Sequence, residues 1–416
     1  MSSPRVGVVD HAEDGARDAL PIEDALAFTY SGVEELDRTL RNMRVEVQAR
    51  LLQGCLPLLL QEIPAETLEP RVGREQYARM RACYREMCLL SLWYSAELKQ
   101  VLGAIAYARI PVLVLKGADL ASTLYPHPDL RYFDDVDLMV HPRDLAAAVA
   151  LLEKSGYVYF QEYRFESISR QRAAFVYVKA VAVGYLMIEL HTAPHSNELG
   201  ISFDVASIWQ RARPITAFDT QVQGMGLEDL FLYLCWHCRS HYFERLIWLY
   251  DVALALHHWG DRLDWSQLYR LASQQGSKAT VYSIVRWCQL LWGVSVPEAQ
   301  LETFAPPTFV RRLIARFIGQ DTLAVLRRSS RRARKLMQHL MVDDLKTLCL
   351  VELRALFPSP THLGRLYMEH SRLPLRLYWV YYALHPFFAL RETLRIVLRA
   401  GRPVARGLPH RRTRKT

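Results

Sequence analysis

The chain has 416 residues, of which 51% are hydrophobic and 23% are charged. This balance is typical of a folded globular protein and excludes a mainly disordered or low-complexity chain. The 52 Lys and Arg residues outnumber the 43 Asp and Glu residues, and the resulting net charge of +9 would suit a nucleic-acid or anionic-membrane partner.

Two segments near the end of the sequence carry the excess charge. Residues 311–335 contain nine basic residues and one acid, and residues 393–416 contain eight basic residues and no acid. Each segment therefore has a charge of +8, which leaves −7 for the rest of the chain. The charge predicts a docking surface for lipid, nucleic acid or an acidic partner in the C-terminal quarter, and it says little about chemistry elsewhere.

Compartment signals favour the cytoplasm. The first 20 residues lack the apolar core of a secretory signal, and seven cysteines, an odd number, suit reduced thiols better than a disulfide framework. No apolar stretch reaches the ~18–20 residues that a membrane span needs. The longest, 377–390, is aromatic and interrupted by Pro386. We expect it either to pack in the protein or to lie on a membrane surface as an interfacial helix.

The predicted elements change type twice along the chain. Residues 22–105 repeat apolar side chains at three- and four-residue spacing, which predicts helices. Short apolar runs at 111–115 and 136–140 then predict buried strands, each followed by a helix, and three further β-type runs end near residue 192. The helical period returns after Gly226. The chain is therefore predicted to be an α+β protein with a mixed sheet, flanking helices, N-terminal helices and a helical C-terminal region.

The stretch most informative about chemistry lies between the first two strands. The first strand ends in Lys116-Gly117, a helix follows at once, and the second strand carries Asp135 and Asp137. Side chains two residues apart on a strand share a face, so these carboxylates lie side by side and need a cation, for which Mg²⁺ is the usual choice beside phosphates. The turn at Gly117 leaves backbone N–H groups able to face a phosphate. A third acid, Glu189, stands inside an apolar β-run, where an unpaired carboxylate is costly.

This order resembles the nucleotidyltransferase superfamily with the polymerase-β-like fold, and more narrowly a family of uncharacterised bacterial nucleotidyltransferases. The resemblance covers roughly residues 75–300. The matching residues are Leu115-Lys116-Gly117, Arg131, Asp135-Val136-Asp137-Leu138, Gly156-Tyr157, Glu189-Leu190-His191, His237, His241 and Arg245–Asp251.

The resemblance implies a two-metal in-line displacement. Catalysis and metal binding would fall to Asp135, Asp137 and Glu189, with Mg²⁺ or Mn²⁺ as the ion. The nucleotide, an NTP with ATP favoured, would be bound by Lys116, Gly117, Arg131, His237, His241 and Asp251. The predicted regions are a disordered N-terminus (1–20), a helical N-terminal region (21–105), a nucleotidyltransferase catalytic domain (106–225), a helical domain that completes the active-site cleft (226–305), an Arg-rich helical region with an aromatic segment (306–392) and a basic tail (393–416).

Several of these residues also have plainer interpretations. Lys116 could be a surface lysine at a strand end, and His237 and His241, four residues apart on a helix, could be core residues. Asp251 lies on an apolar helix, so it is either paired with an arginine or close to the site. Asp119 is expected to cap the helix that follows Gly117.

The spacing of Cys235-x-x-Cys238 can indicate zinc or redox chemistry. The pair lies in a helical run without a second cysteine pair, and we interpret both residues as small core residues.

Two functions are compatible with these sequence features. The first is an enzyme that moves an NMP from an NTP to a hydroxyl or phosphate acceptor with release of pyrophosphate; the acceptor could be a small molecule, sugar, peptide or protein. The alternative is a weakly active or inactive protein of this fold that docks to an anionic membrane or a partner through its basic C-terminus. Nucleic acid is the less favoured partner, because the chain has no recognisable RNA-binding motif.

Overall fold

The computed structural model describes residues 53–160, 174–181, 184–194, 203–241, 243, 245–315, 337–357, 380 and 383–391. The predicted disordered N-terminus, the predicted basic tail and most of the Arg-rich segment lie outside the described residues.

Besides residues 337–340, 380 and 383–391, which are also helical, thirteen described α-helices, α1 to α13, have defined bounds. They are α1 (Leu56–Glu62), α2 (Ala65–Val72), α3 (Arg74–Tyr107), α4 (Lys116–Thr123), α5 (Leu145–Lys154), α6 (Val205–Gln210), α7 (Leu227–Ser240), α8 (Leu246–Trp259), α9 (Trp265–Gln275), α10 (Lys278–Trp292), α11 (Glu298–Thr303), α12 (Thr308–Ala315) and α13 (Leu345–Leu356).

The described strands form one mixed sheet of seven. They are β1 (Val112–Val114), β2 (Val136–Val140), β3 (Val158–Tyr159), β4 (Ala174–Val181), β5 (Gly184–His191), β6 (Arg213–Ala217) and β7 (Thr220–Gly224), in the spatial order β3-β4-β5-β2-β1-β7-β6. The β2–β5 and β1–β7 pairs are parallel and the other pairs are antiparallel. The predicted α+β class with a mixed sheet and flanking helices is confirmed.

Period-two alternation along the central strands divides the core into two layers. Val112 and Val114 pack on one face of the sheet with α3, whereas Leu113 packs on the other face with α7 and α8. The long helix α3 covers the first face with residues three or four apart, such as Leu98, Val101 and Leu102. Both faces of the central sheet are therefore buried, and a polar side chain there requires a partner.

The hairpin of β6 and β7 was not predicted from the sequence. Its strands, RPITA and TQVQG, alternate polar and apolar residues but lack a long apolar run. The turn between them uses Phe218 and Asp219, both with positive φ (48° and 61°), which is the backbone of a type I′ turn without its usual Asn-Gly sequence.

Candidate active site

The candidate site lies on the sheet face that packs toward α7. Parallel pairing of β2 with β5 places Asp137 opposite Glu189 and Met139 opposite His191. Glu189 and His191 are two residues apart on β5, so both point to the same face as Asp137. The neighbouring residues Leu138 on β2 and Leu190 on β5 point to the opposite face and are buried there.

Three side chains gather at this point. One ligand atom each from Asp137, Glu189 and His191 lies within 4.8 Å of the other two, the one such group of His, Cys, Asp and Glu among the described residues. His191 Nε2 is 2.9 Å from Asp137 Oδ1 and 3.5 Å from Glu189 Oε2. Two carboxylates and an imidazole are donors that divalent ions accept, so the residues present fit a metal site.

Lys116 completes the charge pattern. Its ammonium lies 2.7 Å from Asp137 Oδ1, and only 14% of its side chain is exposed, so it is not a surface lysine. Burial opposes its charge, but Asp137 outweighs this effect and raises the pKa of Lys116 well above its ordinary value. Burial likewise would raise the pKa of Asp137, yet Lys116 and the hydrogen bond from His191 lower that pKa to about 2.

Asp135 lies at the edge of this group. It is half-buried just before β2 and is not among the three clustered ligand residues. Burial and the neighbouring charge of Asp137 raise the pKa of Asp135 to about 7. The two acids of the motif therefore differ: Asp137 is held ionised by cations, whereas Asp135 is poised to gain a proton unless a cation approaches. The metal-binding role of Asp135 stays a prediction.

The turn at Lys116-Gly117 has an unusual backbone. Lys116 has a φ of 44°, in the left-handed region that residues other than glycine rarely occupy. At Gly117 a Cβ atom would come within 3.1 Å of the Cβ of Phe133, so a side chain there would have to push Phe133 aside. Such strained residues cluster at functional sites. The turn places the ammonium of Lys116 beside Asp137, at the start of α4.

Aromatic side chains of α7 and α8 gather next to Lys116; Tyr233 and His237 are buried, and the others are more exposed. The Lys116 ammonium lies 5.9 Å from the ring centre of Tyr233. His237 and His241 follow on α7 and at its end, with ring centres 4.4 Å apart, and Trp248 of α8 lies 4.8 Å from His237 and 5.1 Å from His241. We call Tyr233, His237, His241 and Trp248 the aromatic wall. The surrounding protein removes water from the ring of His241. This desolvation, followed by the charge of Lys116, lowers the pKa of His241 to about 4, so the ring is neutral near pH 7.

Arg131 and Asp251 are engaged with each other. Arg131 donates from Nε and Nη2 to the two carboxylate oxygens of Asp251 at 2.8 and 2.7 Å, and both residues are buried. Tyr125 donates a third hydrogen bond to Asp251 at 2.7 Å. Pairing of Asp251 with an arginine is thus the alternative that the structure bears out. Nucleotide contact by Arg131 and Asp251 stays a prediction, and the paired state leaves them few free polar atoms.

The structure decides two other interpretations. The prediction that Asp119 caps α4 is wrong: the helix begins at Lys116 without a side-chain cap, and Asp119 instead accepts hydrogen bonds from Arg213 and Thr123. Cys235 and Cys238 are buried core residues, as expected.

Sequence reasoning assigned no role to His191. The available signal was its position two residues after Glu189 on one strand, which puts both side chains on one face. A second missed contact joins Arg245 to Asp134 at 2.5 Å and holds the start of β2 next to α8.

Comparison with known proteins identifies the family. A sequence model of a family described as uncharacterised nucleotidyltransferases matches residues 49–293, more than half of the chain. The chain belongs to this family. Membership confirms the predicted family and enzyme class, while bacterial origin and placement in the polymerase-β-like superfamily stay predictions. No curated protein matches the chain.

Solved structures show weaker similarity. The solution structure of the antibiotic-resistance factor ANT(2'')-Ia is 13% identical over 44% of this chain and 91% of that chain, with a TM-score of 0.31. A crystal structure of ANT(2'')-Ia with adenylyl-2''-tobramycin is 14% identical over 43% and 95%, with a TM-score of 0.29. A nucleotidyltransferase-like antigenic protein from Paracoccidioides brasiliensis is 13% identical over 45% and 90%, with a TM-score of 0.27. Assignment of this chain to the nucleotidyltransferase family rests on the sequence match, not on these scores.

Proposed function

We propose that this nucleotidyltransferase-family chain transfers a nucleoside monophosphate from an NTP to a hydroxyl or phosphate acceptor and releases pyrophosphate. The observation that carries the proposal is the strand register that sets Asp137 opposite Glu189, with the Lys116 ammonium 2.7 Å from Asp137. Acids and a cation close together on one face of the sheet suit a substrate that arrives as a metal complex of a triphosphate.

The metal would be held by Asp137 and Glu189, with Asp135 as the predicted further ligand. A bound divalent ion, Mg²⁺ or Mn²⁺, would neutralise phosphate charge and make the acceptor hydroxyl more acidic. Lys116 and the first N–H groups of α4 would hold phosphate oxygens. The acceptor oxygen bonds to the α-phosphorus as the bond between this phosphorus and the bridging oxygen breaks, and pyrophosphate leaves.

The more exposed rings of the aromatic wall, His241 and Trp248, are the proposed contact for the nucleobase, with ATP as the favoured nucleotide. Every base has a flat face that stacks on aromatic rings. His237 and His241 were predicted to bind nucleotide. The position of the exposed His241 beside Trp248 supports this role, whereas the burial of His237 favours its alternative interpretation as a core residue.

The test is pyrophosphate release and mass transfer in an acceptor screen. Labelled NTPs are incubated with the protein, Mg²⁺ or Mn²⁺, and panels of small molecules, sugars, peptides and proteins. Asp137→Asn is expected to abolish transfer. The matched control is Asp219→Asn, which alters an exposed acid paired with Lys99 on the surface and should leave the activity unchanged. Transfer that survives Asp137→Asn and Glu189→Gln would contradict the proposed function.

A second candidate function, peripheral membrane docking, is favoured by one observation. In the described helical residues 383–391, Leu384, Phe387, Phe388 and Leu390 are exposed, with Phe387 72% exposed. The structure reveals no helix in its described part that has the length and hydropathy of a membrane span. Exposed aromatic residues followed by a basic tail suit an anionic lipid surface, and binding to phosphatidylserine vesicles tests this candidate.

A further inference from the structure

His191 is a polar residue at the site that the mechanism above does not use. Its side chain is 7% exposed, and its Nε2 faces both Asp137 and Glu189. Its other ring nitrogen, Nδ1, is buried without a hydrogen-bond partner among the described residues. The polar contacts of the ring are therefore directed at the two carboxylates, and no other hydrogen bond accounts for its orientation.

The spacing of the three ligand atoms suits a shared ion. Two ligands bound at about 2.1 Å on adjacent corners of an octahedron lie about 3 Å apart. The separations of His191 Nε2 from the Asp137 and Glu189 oxygens are 2.9 and 3.5 Å. Strand pairing fixes the backbone of all three residues, so the side chains have little distance to move.

We propose that His191 is a nitrogen ligand of the divalent ion held by Asp137 and Glu189, and that the site consequently favours a transition-metal ion over Mg²⁺. Mg²⁺ prefers oxygen ligands in a regular octahedron, whereas imidazole suits transition-metal ions. Coordination requires the imidazole tautomer with its proton on Nδ1, so the present hydrogen bond from Nε2 to Asp137 is exchanged for a bond to the metal.

This inference deepens the proposed function, because it names the ion preference of the same site. It does not require nucleotide transfer to be measured. Mn²⁺ is the probe, because its electron paramagnetic resonance reports both binding and the nuclei bonded to it.

The experiment titrates the metal-free protein with Mn²⁺ and records pulsed spectra of the bound ion. Wild-type protein is expected to show modulation from a directly bonded ¹⁴N nucleus, which changes to ¹⁵N on labelling histidine. His191→Gln should lose this modulation and bind Mn²⁺ at least about tenfold more weakly, while Mg²⁺ affinity measured by competition falls less.

Two histidine controls locate the nitrogen. His241→Gln removes another histidine near the site, and His257→Gln removes an exposed one, and both should keep the modulation. The proposal is overturned if wild-type protein shows no nitrogen modulation, or if the modulation persists in His191→Gln. Should His191→Gln fail to fold by circular dichroism, the absence of nitrogen modulation in the wild-type protein still overturns the proposal, and its retention in His241→Gln supports it. Metal binding as expected without any nucleotide transfer would sink the proposed function and leave this inference standing.

Discussion

At the scale of single residues, Lys116 belongs both to the proposed metal site and to the proposed phosphate site. Its ammonium neutralises Asp137, and its position at the start of α4 puts it beside the N–H groups predicted to meet phosphate. The backbone at Lys116 is left-handed, and a side chain at the next residue, Gly117, would press on Phe133. Because strained backbone of this kind clusters at functional sites, we infer that the side chain of Lys116 has a functional role.

Replacing Lys116 with Met is expected to weaken NTP binding. The variant keeps the length of the side chain but removes the charge, and a charge-assisted hydrogen bond contributes about 1.5–3 kcal/mol. The Kd for ATP should therefore rise by about ten- to a hundredfold. Equilibrium binding with labelled ATP and Mn²⁺ measures it.

Lys116→Arg is the matched control, because it keeps a positive charge with a different shape. It should recover part of the affinity lost in Lys116→Met. An unchanged Kd in Lys116→Met would show that Lys116 is a counter-ion of Asp137 and nothing more.

Trp248 of the aromatic wall gives a second prediction at this scale. Trp248→Ala should raise the Kd for ATP by about five- to a hundredfold, since stacking of a base on an aromatic side chain is worth about 1–3 kcal/mol. Inorganic tripolyphosphate has no base, so its Kd should not change. Competition against labelled ATP measures both values, and an equal loss for the two ligands would argue that Trp248 supports the cleft without stacking on the base.

At the scale of elements, the buried pair Arg131–Asp251 joins the loop before β2 to helix α8. Removing one partner of a buried ion pair leaves the other charge without compensation and costs about 3–5 kcal/mol. Arg131→Met should lower the free energy of unfolding by that amount in urea titrations. The double variant Arg131→Met with Asp251→Asn should recover part of the loss, because Asn removes the charge and still accepts a hydrogen bond from Tyr125.

The same variants test whether this pair has a second role. A structural pair predicts that the folded double variant binds ATP with nearly the wild-type Kd. A double variant that is stable but no longer binds ATP would instead favour the sequence-based prediction that Arg131 and Asp251 contact the nucleotide.

The elements differ in how far the sequence could predict them. Strands β1 and β2 are short apolar runs bounded by turn residues, and they lie where the sequence places them. The β6–β7 hairpin was missed because its pattern is mixed and its turn uses Phe218-Asp219. The acids of the site could be found because polar residues stand out inside apolar strands. The partner of Asp251 could not, because Arg131 is 120 residues away and only the fold brings them together.

At the scale of the whole molecule, the excess positive charge and the proposed site residues lie in different parts of the sequence. The site residues fall in the part of the chain with a net charge of −7, and the two segments with +8 each follow it. Arg311, at the start of the first basic segment, is paired with Glu302 at 3.0 Å. The basic tail at 393–416 contains no acid at all, so any compensation for its charge must come from elsewhere in the chain or from a partner.

Deleting residues 393–416 is expected to abolish binding to anionic vesicles while ATP binding stays unchanged. A basic residue near an anionic membrane contributes about 1 kcal/mol, so eight of them would dominate the affinity. Wild-type protein should co-sediment with phosphatidylserine vesicles and should not bind phosphatidylcholine vesicles. Binding should weaken as the salt concentration rises above about 0.1 M, because salt screens the attraction between the tail and the lipid. The double variant Phe387→Ser with Phe388→Ser, which keeps all the charge, separates the aromatic contribution. Sedimentation that persists after the deletion, or that is insensitive to salt, would assign the contact to the exposed aromatic residues and not to the tail.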